Sequence, residues 1–137
     1  MTFFVEIVVS HYLTLHTMKS IICPAPYSIE QKEIPAPDPN SGEALIKINR
    51  VGICGTDLHA YQGNQPFFTY PRILGHELSG EIEKIEGGAN ELRIGDQVTV
   101  IPYKHCGECQ ACQAGQTNCC EAISVFGVHE DGGCRIT

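Results

Sequence analysis

Cys106, Cys109, Cys112 and Cys120 stand as Cys-x2-Cys-x2-Cys-x7-Cys in one short stretch of a 137-residue chain. Four thiolates held so close along the backbone can surround a single Zn²⁺ ion, which takes soft or borderline ligands at about 2.3 Å in a tetrahedron. A full set of protein ligands leaves no coordination position for chemistry, so the stretch reads as a structural zinc loop. Iron–sulfur ligands of the bacterial type also begin Cys-x2-Cys-x2-Cys, but they continue with Cys-x3-Cys-Pro. Here the last step is x7 and Glu121 follows, and the remaining motifs do not support a cluster.

Eight cysteines in so small a chain raise the alternative of a secreted disulfide framework. Packing four of them into one loop favours metal instead. A signal peptide is not expected: no Lys or Arg precedes the apolar patches near the N-terminus, Glu6, Ser10 and His11 interrupt them, and Lys19 is the first basic residue. These observations place the chain in the reducing cytoplasm. The net charge of −7, with 9 scattered Lys and Arg, argues against nucleic acid and against a zinc-ribbon nucleic-acid binder. No apolar run reaches the length of a membrane span.

Residues 1–17 differ in character from the rest of the chain, and Met18 is a plausible true start, so the first segment is expected to be an upstream-start extension and residues 18–137 the domain proper. From there the pattern is mainly β. Residues 28–33 alternate weakly and meet Pro35, Pro37 and Pro39, which mark a loop. Residues 43–51 alternate as a half-buried strand, and residues 77–85 and 97–101 are further strands. Gly87-Gly88 and Gly95-Asp96 signal turns, and one short helix is expected with Thr56 or Asp57 as its N-cap. A small, partly open β-barrel with a metal-bearing loop fits these elements.

Two further constellations carry chemistry. In Gly52-Ile53-Cys54-Gly55-Thr56-Asp57-Leu58-His59, a cysteine sits between glycines that let backbone pass close to its sulfur. Taken alone, Cys54 reads as a buried core thiol. Gly75-His76-Glu77 adds an imidazole and a carboxylate. Thiolate, imidazole and carboxylate from separate strand ends are the ligand types of a catalytic zinc that keeps one position for water or substrate.

In this order, Gly-Ile-Cys-Gly-Thr-Asp-x-His, Gly-His-Glu-x2-Gly, Gly-Asp-x-Val and the four-cysteine loop resemble the zinc-dependent medium-chain alcohol dehydrogenases, over residues 18–133. The pattern most resembles the polyol, threonine and sugar-acid branch, and Phe126-Gly127-Val128-His129-Glu130-Asp131-Gly132-Gly133 adds to it. The resemblance implies a GroES-like catalytic domain. It implies Cys54 and His76 as ligands of a catalytic zinc, with either Glu77 or a residue further downstream as the third. Asp57 would accept a hydrogen bond from the far nitrogen of His76, and Thr56 and His59 would form a proton relay. Cys106, Cys109, Cys112 and Cys120 would hold the structural zinc, Cys119 being a bystander. Cys23 and Cys134 would be small core or surface residues. Glu86 departs from the family signature, which has a glycine there.

The implied reaction is zinc-assisted hydride transfer from a secondary alcohol, polyol or sugar acid to NAD or NADP, in a homo-oligomeric enzyme. No Gly-x-Gly-x2-Gly occurs in these residues, so the dinucleotide site belongs to a Rossmann domain outside them. The chain is therefore expected to be an N-terminal fragment or a truncated gene product, inactive alone. The competing class is a non-enzymatic zinc-stapled β-barrel that binds a partner; the relay residues beside the ligands favour the enzyme.

Overall fold

The computed structural model describes residues 7–8, 17–87 and 91–136. Gly88 and most of the expected N-terminal extension, residues 1–6 and 9–16, lie outside the described residues. Strand accounts for 37% of the described residues and helix for 12%, which makes the fold mainly β as expected. The elements run β1 (Ile7–Val8), β2 (Thr17–Cys23), β3 (Glu30–Pro35), β4 (Ala44–Gly52), α1 (Gly55–Tyr61), β5 (Arg72–Ile73), β6 (Glu77–Ile85) and β7 (Gln97–Thr99). They continue with β8 (Tyr103–Lys104), α2 (Gln110–Gln113), a 3-10 turn (Thr117–Cys119), β9 (Ser124–Val125) and β10 (Arg135–Ile136). No helix among the described residues is long and apolar enough to cross a membrane.

One sheet has the order β1-β4-β6-β7; a second has β10-β2-β3, with β5 also paired to β2; β8 and β9 form a hairpin. Among the described residues the sheets do not close into a ring, in keeping with an open barrel. Pro35 ends β3 opposite Thr17. It is tolerated there because β3 is the outer strand of its sheet and proline removes only an edge donor.

The simple alternation expected for residues 43–51 does not hold. Ala44, Leu45 and Ile46 are all buried, while Asn49 and Arg50 are exposed. Register shifts against β6 fall between Leu45 and Ile46 and between Ile48 and Arg50. Each irregularity breaks the two-residue period of side-chain facing, so burial runs in blocks along β4. The expected helix N-cap is also corrected: Cys54 caps α1, and Thr56 and Asp57 lie inside its first turn. The carboxylate of Asp57 reaches back to accept the Cys54 N–H at 2.9 Å, the acidic half of a capping box. Gly95 takes φ +94° at the expected turn, and Gly87 supplies φ +76° beside Glu86.

Two apolar clusters form the core. Cys23, Ala60, Phe68, Leu74 and Val128 make one; Ile46, Leu78, Ile82, Val100 and Phe126 make the other. Leu74 and Leu78 anchor the two ends of Gly75-His76-Glu77, one in each cluster, so that turn is pinned from both sides. The segment after the cysteine loop closes over it. Gly132, Gly133 and Cys134 donate their backbone N–H groups to the carbonyls of Ile73, Gly75 and Leu74 at 2.8, 2.9 and 3.0 Å.

Candidate metal centres

The first centre is made by pairing two strand ends that are distant in sequence. Gly52 at the end of β4 stands opposite Glu77 at the start of β6. This register brings the Cys54 sulfur, a His76 ring nitrogen and a Glu77 carboxylate oxygen within 4.8 Å of one another. A side chain at position 52 would destroy the arrangement: a Cβ there would collide with Glu77 Oε2 and lie 2.9 Å from Glu77 Cβ. Gly75 turns the chain into His76 at φ +92°, a left-handed conformation that glycine adopts without steric cost.

Asp57 holds this centre together from beneath. Only 8% exposed, it accepts the Cys54 N–H at 2.9 Å and the Gly75 N–H at 3.4 Å. One carboxylate thus links the loop bearing the thiol to the loop bearing the imidazole. Its Oδ1 also stands 3.6 Å from Nδ1 of His76. That is ion-pair range and beyond hydrogen-bond length. His76 Nδ1 is buried and has no hydrogen-bond partner among the described residues, so the hydrogen bond expected between His76 and Asp57 is not formed in this structure. Buried polar atoms are nearly always satisfied; an orphaned imidazole nitrogen next to an acceptor fits a ring that shifts slightly when its far side binds a cation.

Thr56 stands beside the sulfur, its Oγ1 3.7 Å from Cys54 Sγ. Cys54, Thr56, His76 and Glu77 line an open cleft of about 490 Å³. His59 does not line it; it is exposed, in the last turn of α1. The cleft also takes Arg50, Ser79, Thr99 and Tyr103, none of which the sequence alone points to. Arg50 is two residues before Gly52 and Ser79 two after Glu77, the strand period that returns side chains to one face. That signal becomes usable only once β4 and β6 are known to pair.

The second centre is local. Cys106, Cys109, Cys112 and Cys120 bring their sulfurs within 4.8 Å of one another. Cys109 caps α2, Cys112 lies within it, and the 3-10 turn delivers Cys120. Cys106 Sγ is 3.5 Å from that of Cys120 and 3.9 Å from that of Cys112. These are too long for disulfides, and they match the edge of about 3.8 Å that a tetrahedron of 2.3 Å zinc–sulfur bonds requires. A multi-iron cluster would hold its thiolates apart by its own bulk. Backbone N–H groups of Cys106 and Cys109 donate to the sulfurs of Cys120 and Cys106 at 3.3 and 3.4 Å. Backbone donors from Cys112 and Glu121 draw the Cys109 thiol down to about 6, whereas desolvation among its neighbours drives Cys112 up to about 12. Four such groups cannot all ionise side by side without a cation. Cys120 is buried in the cluster, and Cys119 is exposed and outside it.

The two remaining cysteines belong to the core. Cys23 is fully buried and Cys134 packs against the same cluster. Burial, with the charge of Asp57, pushes the Cys134 thiol up to about 11.

A comparison with known families identifies residues 40–136 as an alcohol dehydrogenase GroES-like domain. The chain is a member of that family. It is 56% identical over 119 residues to the L-galactonate-5-dehydrogenase of Escherichia coli K12, an alignment covering 87% of this chain and 35% of that protein. It is 42% identical over 109 residues to the L-threonine 3-dehydrogenase of Pyrococcus horikoshii, covering 77% and 31%. Among solved structures, the NADH complex of the rspB alcohol dehydrogenase of Escherichia coli CFT073 superposes with a TM-score of 0.79 at 40% identity, covering 88% of this chain and 35% of that one. The GroES-like alcohol dehydrogenase family is an oxidoreductase family, and its zinc-type members include alcohol, polyol and threonine dehydrogenases. The chain spans about a third of the length of the curated relatives it matches.

Proposed function

We propose that these residues are the zinc-binding catalytic portion of an NAD(P)-dependent dehydrogenase that oxidises a secondary alcohol, polyol or sugar acid. The observation that carries the reading is the meeting of thiol, imidazole and carboxylate within 4.8 Å at one side of an open cleft. Cys54, His76 and Glu77 would hold one zinc there, and Cys106, Cys109, Cys112 and Cys120 a second that is purely structural. When bound, the cleft zinc supplies a Lewis acid that polarises an alcohol oxygen and eases loss of its proton.

The chain's own residues do the rest. Asp57 fixes the Cys54 and Gly75 backbones and sets its charge 3.6 Å from Nδ1 of His76. The Thr56 hydroxyl, at the cleft wall, takes the substrate proton and passes it on. His59 lies one helical turn along α1, where i and i+3 side chains are neighbours, and is open to water. The relay therefore runs from the cleft to solvent along a single helix face. The dinucleotide is bound by a Rossmann domain outside these residues, in an enzyme that is a homo-oligomer. This makes the substrate a small molecule reached from the open side of the cleft, in a cytoplasmic enzyme.

Metal analysis tests the reading. The expected content is about two zinc per chain, falling to about one in Cys54→Ser with the cysteine loop still loaded. Iron with acid-labile sulfide, or loss of all metal from that variant, would overturn it. The purified chain is expected to show no NAD-dependent alcohol oxidation; turnover by the chain alone would contradict a nicotinamide site outside it.

A further inference from the structure

Arg50 is the lysine- or arginine-type cation lining the cleft beside the candidate zinc ligands. Its guanidinium makes one hydrogen bond, from Nη1 to the neighbouring Asn49 carbonyl at 2.7 Å. No carboxylate among the described residues is recorded in ion-pair contact with it. Arginine carries several further donors in a planar fork, and these are presented toward solvent at the cleft.

The strand register places it in a row. Arg50 on β4 pairs with Ser79 on β6, and Ser79 pairs with Thr99 on β7. All three line the cleft. The next row on that face is Gly52 opposite Glu77. Two residues along a strand span about 6.6 Å, so the row of Arg50, Ser79 and Thr99 lies about five bonds of an extended carbon chain along the strands from the row of Gly52 and Glu77.

Charge balance makes the row informative. A divalent cation held by the Cys54 thiolate and the Glu77 carboxylate is neutral overall, His76 contributing no charge as a ligand. Asp57 adds one buried negative charge behind the centre, 3.6 Å from His76, whereas Arg50 on the open side meets no carboxylate in ion-pair contact among the described residues. Guanidinium groups pair with carboxylates through parallel N–H donors. A single cation matches a single negative charge, whereas a dianionic phosphate would leave one charge facing Glu77.

We infer that Arg50 selects the substrate: it receives a carboxylate on a polyhydroxylated chain, with Ser79 and Thr99 of the same row meeting hydroxyls near that end, Thr99 as an acceptor because its Oγ1 already donates to the Leu78 carbonyl at 3.0 Å. The inference rests on the alcohol-site reading above and narrows its substrate class from alcohols in general to sugar acids.

The test uses the zinc-loaded chain and direct binding by NMR titration, with zinc content measured in parallel. The probes are hexonates and hexitols matched in stereochemistry, gluconate with sorbitol and galactonate with galactitol, plus sorbitol 6-phosphate. At least one hexonate should bind about tenfold more tightly than its hexitol, the scale of one charge-assisted hydrogen-bonded pair. Arg50→Gln should remove that preference with zinc content unchanged, and Arg50→Lys should restore part of it. Equal binding of hexonate and hexitol by the native chain, or a preference that survives Arg50→Gln, overturns the role of Arg50. Tighter binding of the phosphate than of any hexonate overturns the carboxylate assignment. Failure of every polyol to bind while zinc is loaded instead overturns the alcohol-site reading itself.

Discussion

The two cysteine-bearing centres of this molecule are built in opposite ways. In the loop, four like side chains approach through local turns: a cap, one turn of helix and a 3-10 turn. In the cleft, three unlike side chains meet because β4 and β6 pair in one register and Asp57 ties their ends together. The loop presents a closed set of donors. The cleft presents an incomplete set beside open space. The difference teaches that coordination chemistry follows the route of assembly. A contiguous cluster can saturate an ion by itself, while a site made from strand ends inherits the opening between them.

If the centres are independent, removing a loop ligand should have the largest effect and should stay local. Structural zinc contributes apparent binding free energies on the order of 10 kcal/mol in small metal-folded domains. Cys120→Ser is therefore expected to release about one zinc per chain and to strip hydrogen-exchange protection from the amides of the loop. The protection of β4 and β6 should persist. Simultaneous loss of the cleft metal would show that the two regions behave as one.

Asp57 sharpens the comparison from the other side. Asp57→Ala leaves the Cys54 and Gly75 N–H groups without their acceptor in a buried place, at about 1–3 kcal/mol for each unsatisfied group. Denaturant melts should report a loss of about 3 kcal/mol, and zinc affinity at the cleft should fall by about 10–100-fold. The loop metal should not change. Asp57→Asn keeps one oxygen, an acceptor for only one of the two N–H groups that use separate carboxylate oxygens, and removes the charge facing His76, so it should recover part of the stability and less of the affinity. Equal weakening of both metals would break the distinction.

The smallest effect concerns thiols that belong to neither centre. Cys119 is exposed, whereas the Cys134 thiol is raised to about 11 by burial and by Asp57. With metal bound, alkylation at pH 8 is expected at Cys119 and not at Cys134. The sign for stability follows from the raised value. The folded state favours the protonated thiol, a contribution fully present below the ordinary value of 9 and lost as pH rises through about 11. Cys134→Ala should flatten that part of the stability profile; an unchanged slope between pH 9 and 11 would place the titration elsewhere.

Much of this was legible in the sequence because it depends on spacing over a few residues. The loop could be read from its Cys-x2-Cys-x2-Cys-x7-Cys interval alone, including the choice of Cys120 by family spacing, since turns of fixed geometry bring such residues together. The strand candidates and the turns at Gly87 and Gly95 followed from apolar patterning and from glycine's access to positive φ. The cap of α1 was misplaced because Ser, Thr, Asp and Asn are the usual capping residues, and nothing local shows that Asp57 serves better at N3, reaching back to Cys54. The alternation of β4 was misread because bulges are set by the partner strand, which a period-two pattern does not include.

By itself, then, the sequence determined the donor types, the loop that gathers four of them, and the mainly β character of the chain, all consequences of short-range stereochemistry. Tertiary structure alone decided that Gly52 faces Glu77, that Asp57 accepts from the backbones of both Cys54 and Gly75, and that Arg50, Ser79 and Thr99 form one row of the cleft. Those relations depend on strand register. A shift of one residue turns every side chain to the opposite face, so they exist only once the sheet has formed.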